Sequence, residues 1–200
     1  MPIKIGQRAD HGFDEPLGLL SDCHRRIEHF LATLVMVTKA RGGGALPDPD
    51  RRALEAALRY FDTAAPRHSA DEEESLFPRL RAAAGSATQP ALDALRRLEG
   101  DHREAERHHE QVSQLVRQWL SNGTLPEGEV QILTAGLATL ERLYRDHIAV
   151  EDHEVFPAAG RVLSPADLEA VGREMAARRG VAFAPWQSHR ARGANDPSAG

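Results

Sequence analysis

Cysteine occurs once in 200 residues, as Cys23. One thiol excludes an intramolecular disulfide and argues against a disulfide-stapled secreted fold. It stands beside His24, and its plainest reading is a small buried hydrophobe. Positive charge is not in excess: 25 basic residues face 30 acidic ones, for a net charge of −5, so there is no electrostatic case for nucleic acid or an anionic membrane as a partner. No apolar run approaches the length of a membrane span, and the first ten residues lack the apolar core of a signal peptide. A cytoplasmic location is the default expectation. Period-two alternation of apolar residues is also missing, which removes the sheet classes.

What is present is an ordinary soluble composition, 41 % apolar and 28 % charged, on a chain long enough for one domain with a real core. Residues 1–15 have little periodicity and read as an arm. From Pro16, a residue suited to a first helical turn, Leu17, Leu20, Ile27, Leu31, Leu34 and Val35 recur at helical steps to about Ala40, and Gly42-Gly43-Gly44 stops them. Asp48-Pro49-Asp50 opens a second helix through Leu54, Leu58 and Phe61. Pro66 falls inside its pattern and predicts a kink, with an end near Ala84 at Gly85. Pro90 starts a third helix, ended by Asn122-Gly123, and Pro126-Glu127 starts a fourth that reaches Phe156-Pro157. Ser164-Pro165 caps a short fifth helix to about Arg179, and residues 180–200 read as a disordered tail. The expected fold is all-α: an antiparallel up-down-up-down four-helix bundle over residues 16–160, with the fifth helix appended at 164–179.

One stretch is written twice. His68-Ser-Ala-Asp-Glu72-Glu-Glu-Ser-Leu-Phe77-Pro78 returns, 79 positions later, as His147-Ile-Ala-Val-Glu151-Asp-His-Glu-Val-Phe156-Pro157. Histidine fills 10, phenylalanine 6 and proline 12 of the 200 positions, so recurrence of all three in register marks an internal repeat. The other half of the repeat relates His24-x-x-x-Glu28 to His102-x-x-x-Glu106, 78 positions apart. Each bundle helix thus carries one His-x-x-x-Glu. A step of four residues turns about 40° beyond a full circle and rises about 6 Å, so both side chains can reach one metal ion. His24 and His102 fall about ten residues into their helices and His68 and His147 about twenty, as a shared level in antiparallel helices requires.

Two imidazoles and two carboxylates from the second and fourth helices, joined by His24 and His102, suit a pair of intermediate metal ions. A donor set without thiolates favours iron or manganese over structural zinc. A glutamate of each repeat can bridge the ions, with each histidine terminal. Asp101, Asp22 and Asp146 are candidates to fix the imidazole tautomers. Glu28 and Glu106 share the offset of Glu72 and Glu151 but are equally readable as partners of Arg25 or Arg103. His29, His108 and His153 point off the ligand face, His109 shares it one level away, and His11 and His189 lie in the arm and tail. Phe77 and Phe156 read as walls of the site, Pro78 and Pro157 as shapers of the helices behind it, and Glu73 and Glu74 as a solvated face.

The combined pattern, His24, His68-x-x-x-Glu72, His102 and His147-x-x-x-Glu151 with Phe-Pro after two copies, resembles the hemerythrin-like (HHE cation-binding) domain family. The resemblance implies a non-haem di-iron centre of two iron ions, with room for an oxo or hydroxo bridge, held by His24, His68, Glu72, His102, His147 and Glu151 with the two glutamates bridging. Oxygen-carrying members have a second histidine where this chain has Glu106, and an aspartate at a longer spacing on the fourth helix. A carboxylate at Glu106 would harden the site and favour ferric iron. Iron handling, or the sensing or binding of O2, peroxide or nitric oxide, is the expected role rather than oxygen transport. A peroxidase- or oxidase-type di-iron enzyme is the alternative, and a plain helical interaction module is disfavoured by the repeat.

Overall fold

A computed structural model of the chain describes residues 11–83 and 89–183. Pro16 opens α1 (Pro16–Arg41), and the chain leaves it through Gly42 and Gly43 at φ of 50° and 79°. Both lie in the left-handed region that favours glycine. Gly43 is doubly constrained, because a Cβ there would stand 2.4 Å from the Leu125 carbonyl oxygen. That close approach lets Leu125 N–H donate to Gly43 O at 2.8 Å, and Trp119 Nε1–H donates to Gly44 O at 2.8 Å. These bonds tie two loops together at one end of the molecule.

The second rod begins with α2 (Asp48–Thr63), whose Asp48 and Asp50 complement the positive end of the helix dipole. It breaks at Ala64, one turn before His68, and resumes as α3 (Ala65–Ala70) with Pro66 in its first turn. The proline has no N–H to continue the ladder and clashes with the carbonyl behind it, which accounts for the interruption expected there. A π-turn (Asp71–Leu76) and α4 (Phe77–Ala82) complete the rod. Next come α5 (Gln89–Asn122) and a fourth rod made of α6 (Glu127–Val150), a second π-turn (Glu151–Val155) and α7 (Phe156–Val162). The last helix, α8 (Pro165–Arg178), starts on a capping box: Asp167 N–H donates to Ser164 Oγ, and Ser164 N–H to the Asp167 carboxylate, each at 3.1 Å.

No strand occurs among the described residues, and the rods pack in the antiparallel order expected, α1 against α2 and α6, and α5 against α2 and α6. The π-turns are a detail that periodicity did not predict. In each, the Phe77 or Phe156 N–H donates five residues back, to the carbonyl of Glu72 or Glu151. The proline that follows cannot donate at all, so the ordinary four-residue ladder has a missing rung where Phe-Pro stands. The expected helix end at Gly85, most of the N-terminal arm (1–10) and most of the tail (184–200) lie outside the described residues. Residues 11–15 do not hang free: Gly172 of α8 packs on the Phe13 backbone, and Arg179 stacks over the Phe13 ring. No helix among the described residues is long and apolar enough to cross a membrane.

Two apolar clusters fill the bundle. One runs from Ile27, Leu31 and Leu34 through Leu54, Phe61, Val112, Trp119, Leu133 and Leu140; the other gathers Leu20, Leu76, Phe77, Leu95, Leu98, Val155 and Phe156. Near the junction of the two clusters every rod carries buried or nearly buried polar side chains, and six of them come together in a single layer.

Candidate metal centre

That layer holds His24, His68, Glu72, His147 and Glu151, all at most 3 % exposed, and the nearly buried His102. They make two four-residue groups, His24-His68-Glu72-Glu151 and His102-His147-Glu72-Glu151, whose donor atoms lie within 4.8 Å of one another. Each group takes both histidines of one repeat and a glutamate from each. Glu72 divides its oxygens: Oε1 is 3.4 Å from His68 Nε2, and Oε2 is 3.3 Å from His102 Nε2. Glu151 Oε2 stands 3.1 Å from His24 Nε2 and 3.0 Å from His147 Nε2.

The arrangement fits metal ions better than it fits internal hydrogen bonds. Both oxygens of Glu72, both of Glu151 and Nε2 of His24 are buried without a hydrogen-bond partner of adequate geometry, a costly state for carboxylates left to themselves. His102 Nε2 and His147 Nε2 lie 3.1 Å apart. Two nitrogens bound about 2.1 Å from one ion at a right angle would be separated by about 3.0 Å. Imidazole and carboxylate donors without thiolate suit intermediate divalent or trivalent metals.

Electrostatics of the layer agree. Burial works against the imidazolium of His147, but the nearby carboxylates of Asp101 and Glu151 outweigh it and raise its pKa to about 10. His24 is raised to about 9 in the same way, through Asp152 and Glu151. His68, fully buried and next to His24, is pushed well down. Burial and then the Glu151 charge raise Glu72, while Glu151 is held down by His147 and His24 in spite of its own burial. The carboxylates thus draw positive charge into the layer, as protons when no cation supplies it.

Behind the donors, three imidazoles have their outer nitrogen fixed. His102 Nδ1 is 2.7 Å from Glu73 Oε1, His24 Nδ1 is 3.1 Å from Asp152 Oδ1, and His147 Nδ1 is 3.4 Å from Asp101 Oδ2. Of the three expected tautomer partners, only Asp101 serves. Asp22 instead accepts from His11 at 3.0 Å and from Arg25, and Asp146 is exposed beside Arg145. Glu73, read as a solvated face, contacts His102. The signal for Glu73 and Asp152 was in the repeat: each directly follows a glutamate of the layer. The Phe-Pro phenylalanines stack across repeats, Phe156 on His24 at 5.4 Å and Phe77 on His102 at 6.5 Å between ring centroids.

Glu28 and Glu106 are exposed and belong to neither group. The reason is rotational. On α1 and α5 the buried stripe runs through Leu20, Ile27 and Leu31, or Leu98, Ala105 and Val112, and its centre lies about 40° on α1 and about 60° on α5 to one side of the histidine. Four residues on from His24 or His102 the chain turns about 40° to the other side, into solvent. On the second and fourth rods Leu54, Phe61 and Ala65, or Leu133, Leu140 and Tyr144, place the stripe on the opposite side of the histidine. The same step there carries Glu72 and Glu151 inward. Glu106 is accordingly turned away from the layer.

Near the layer lies a further polar pair. Tyr144, one turn before His147, shares a hydrogen bond of 2.9 Å between its hydroxyl and His109 Nε2. Burial and the neighbouring His108 depress the His109 pKa to about 4, so the ring is neutral. Phe61 stacks on it at 4.2 Å.

A four-helix bundle with a buried layer of four histidines and two glutamates, able to hold metal cations, is the class this architecture defines. The chain belongs to the hemerythrin HHE cation binding domain family, whose pattern it matches over residues 15–159. It is also similar to an uncharacterized protein of Haemophilus influenzae, with 28 % identity over 169 residues that cover 84 % of this chain and 92 % of that protein.

Proposed function

We propose that this protein binds two iron ions as a non-haem di-iron centre and acts in iron handling or in sensing or binding O2, peroxide or nitric oxide. The observation that carries the reading is the placement of Glu72, whose two oxygens face different histidine pairs, so one carboxylate can span two ions. His24 and His68 hold one position, His102 and His147 the other, and Glu151 is common to both. Each position then has four protein donor atoms. Iron in such a site supplies a redox couple and a Lewis-acid position for a small exogenous ligand. The chain's own part is to hold the donors on rigid helices, to fix three imidazoles through Glu73, Asp101 and Asp152, and to keep bulk water out with Phe77 and Phe156.

The test is the metal content and optical spectrum of the full-length chain from iron-replete cells, before and after exposure to O2, peroxide and nitric oxide. The reading expects two irons per chain and a near-ultraviolet band that responds to at least one of the three. Iron-free protein, or content unchanged in His68→Ala, contradicts it. Four donors per ion leave room for a substrate, and this favours turnover as a second reading, a di-iron peroxidase or oxidase. Steady peroxide consumption that disappears in Glu151→Ala supports that reading, and a single-turnover oxidation alone counts against it.

A further inference from the structure

The two ion positions have identical donors but different support. His24 and His102 correspond in the repeat, and each has a carboxylate on its outer nitrogen, Asp152 at 3.1 Å and Glu73 at 2.7 Å. His68 and His147 also correspond, but only His147 has such a partner, Asp101 at 3.4 Å. His68 is 3 % exposed, and its Nδ1 has no hydrogen-bond partner among the described residues. The cause is legible in the chain. Cys23 stands 78 positions before Asp101, the same step that relates His24 to His102. The first repeat therefore has a thiol where the second has a carboxylate, and the Cys23 sulfur is engaged by Arg26 at 3.6 Å.

We propose that the two positions differ in affinity, the His102–His147 position holding its ion more tightly and the His24–His68 position releasing its ion first. A carboxylate on the outer nitrogen fixes the tautomer, orients the ring and makes it a better donor, and loss of such a partner weakens binding by about ten- to a hundredfold. His147 has this support and His68 lacks it. The carboxylates on the outer nitrogens of His24 and His102 are paired across the repeat, so the difference between His68 and His147 does not cancel. Asp101 is in this sense a positioning residue that sets the order of filling. The inference rests on the two-ion reading above and adds a sequence of loading to it: one ion is retained and one is exchangeable.

The experiment is graded chelator competition on the iron-loaded full-length chain, reading iron per chain at equilibrium. Two steps of one ion each are expected, separated by about ten- to a hundredfold in chelator activity. His68→Ala should remove only the weak step and His147→Ala the tight one. Asp101→Asn should bring the two steps together by weakening the tight one, and Cys23→Asp by strengthening the weak one. Asp101→Asn is the safer variant, because its side chain is 25 % exposed and it adds no buried charge. Two ions that leave together, with Asp101→Asn unchanged, overturn the inference alone. A chain that never holds more than one ion overturns the two-ion reading and this inference with it.

Discussion

Around the second repeat's histidines stand Asp101, His109 and Tyr144; at the corresponding positions of the first, 78 or 79 residues earlier, stand Cys23, Leu31 and Ala65. The reverse holds on the outer side. Asp71, fully buried at the start of the first π-turn, accepts from Arg178 at 2.9 Å and from Arg179 at 2.7 Å, and Arg79 pairs with Glu174 at 2.7 Å. The second repeat has Val150 and Ala158 at the places of Asp71 and Arg79. So α8 is clamped over the first repeat, while a groove of about 250 Å³ lined by Arg97, Asp101, Arg142 and Asp146 opens on the second. The comparison teaches that six donors were kept in register while their surroundings diverged. The first half is covered outside and apolar within; the second is open outside and carries extra polar groups within.

The largest break in this comparison should come from the shared carboxylates. Glu72→Ala or Glu151→Ala removes a donor from both positions and should abolish binding of both ions, whereas His68→Ala should cost one; elemental analysis of the purified variants separates the two outcomes. Next is the clamp. Asp71→Ala removes the buried carboxylate that Arg178 and Arg179 share, leaving Arg178 with Glu74 and Ser75, and should destabilise the fold by about 2 kcal/mol, while Val150→Ala, its counterpart, should cost less than about 1 kcal/mol. Urea denaturation of the pair would show equal losses if the halves were in fact equivalent.

The His109–Tyr144 pair predicts a pH effect confined to the second half. Unfolded, His109 takes a proton near pH 6.5; folded, near pH 4. Its neutral form is accommodated in full above pH 6.5, and stability falls as pH drops toward 4, because the unfolded chain gains a proton that the folded chain refuses. The loss amounts to about 3 kcal/mol by pH 4. Making the pair apolar, as its first-repeat counterparts are, with His109→Leu and the size-conserving Tyr144→Phe, should flatten the stability profile across that window. An unchanged slope would mean that the pair is not what titrates. The smallest effect belongs to Ser164→Ala, which removes one side of the α8 cap and should lower stability by about 1 kcal/mol.

Much of this was legible because it is periodic. Helical spacing gave the four rods and α8, and the recurrence of His-x-x-x-Glu with Phe-Pro gave the layer of six side chains. Spacing alone could not say which way a step of four turns relative to the buried stripe. Glu28 and Glu106 therefore looked equivalent to Glu72 and Glu151, although Ile27 and Ala105 set the inward direction one residue earlier. The π-turns were hidden because they arise from a missing donor at Pro78 and Pro157 rather than from an apolar pattern. Asp71 was hidden inside an acid run, since its burial depends on Arg178 and Arg179 arriving from about a hundred residues away. Long-range ion pairs leave no local signature.

The most direct test of the central claim is an anomalous-scattering map, at the iron edge, of crystals of the iron-loaded chain. Two peaks are predicted in the layer, one beside His24 and His68 and one beside His102 and His147, both in contact with Glu72 and Glu151. A single peak, or two peaks that share neither glutamate, would contradict the account.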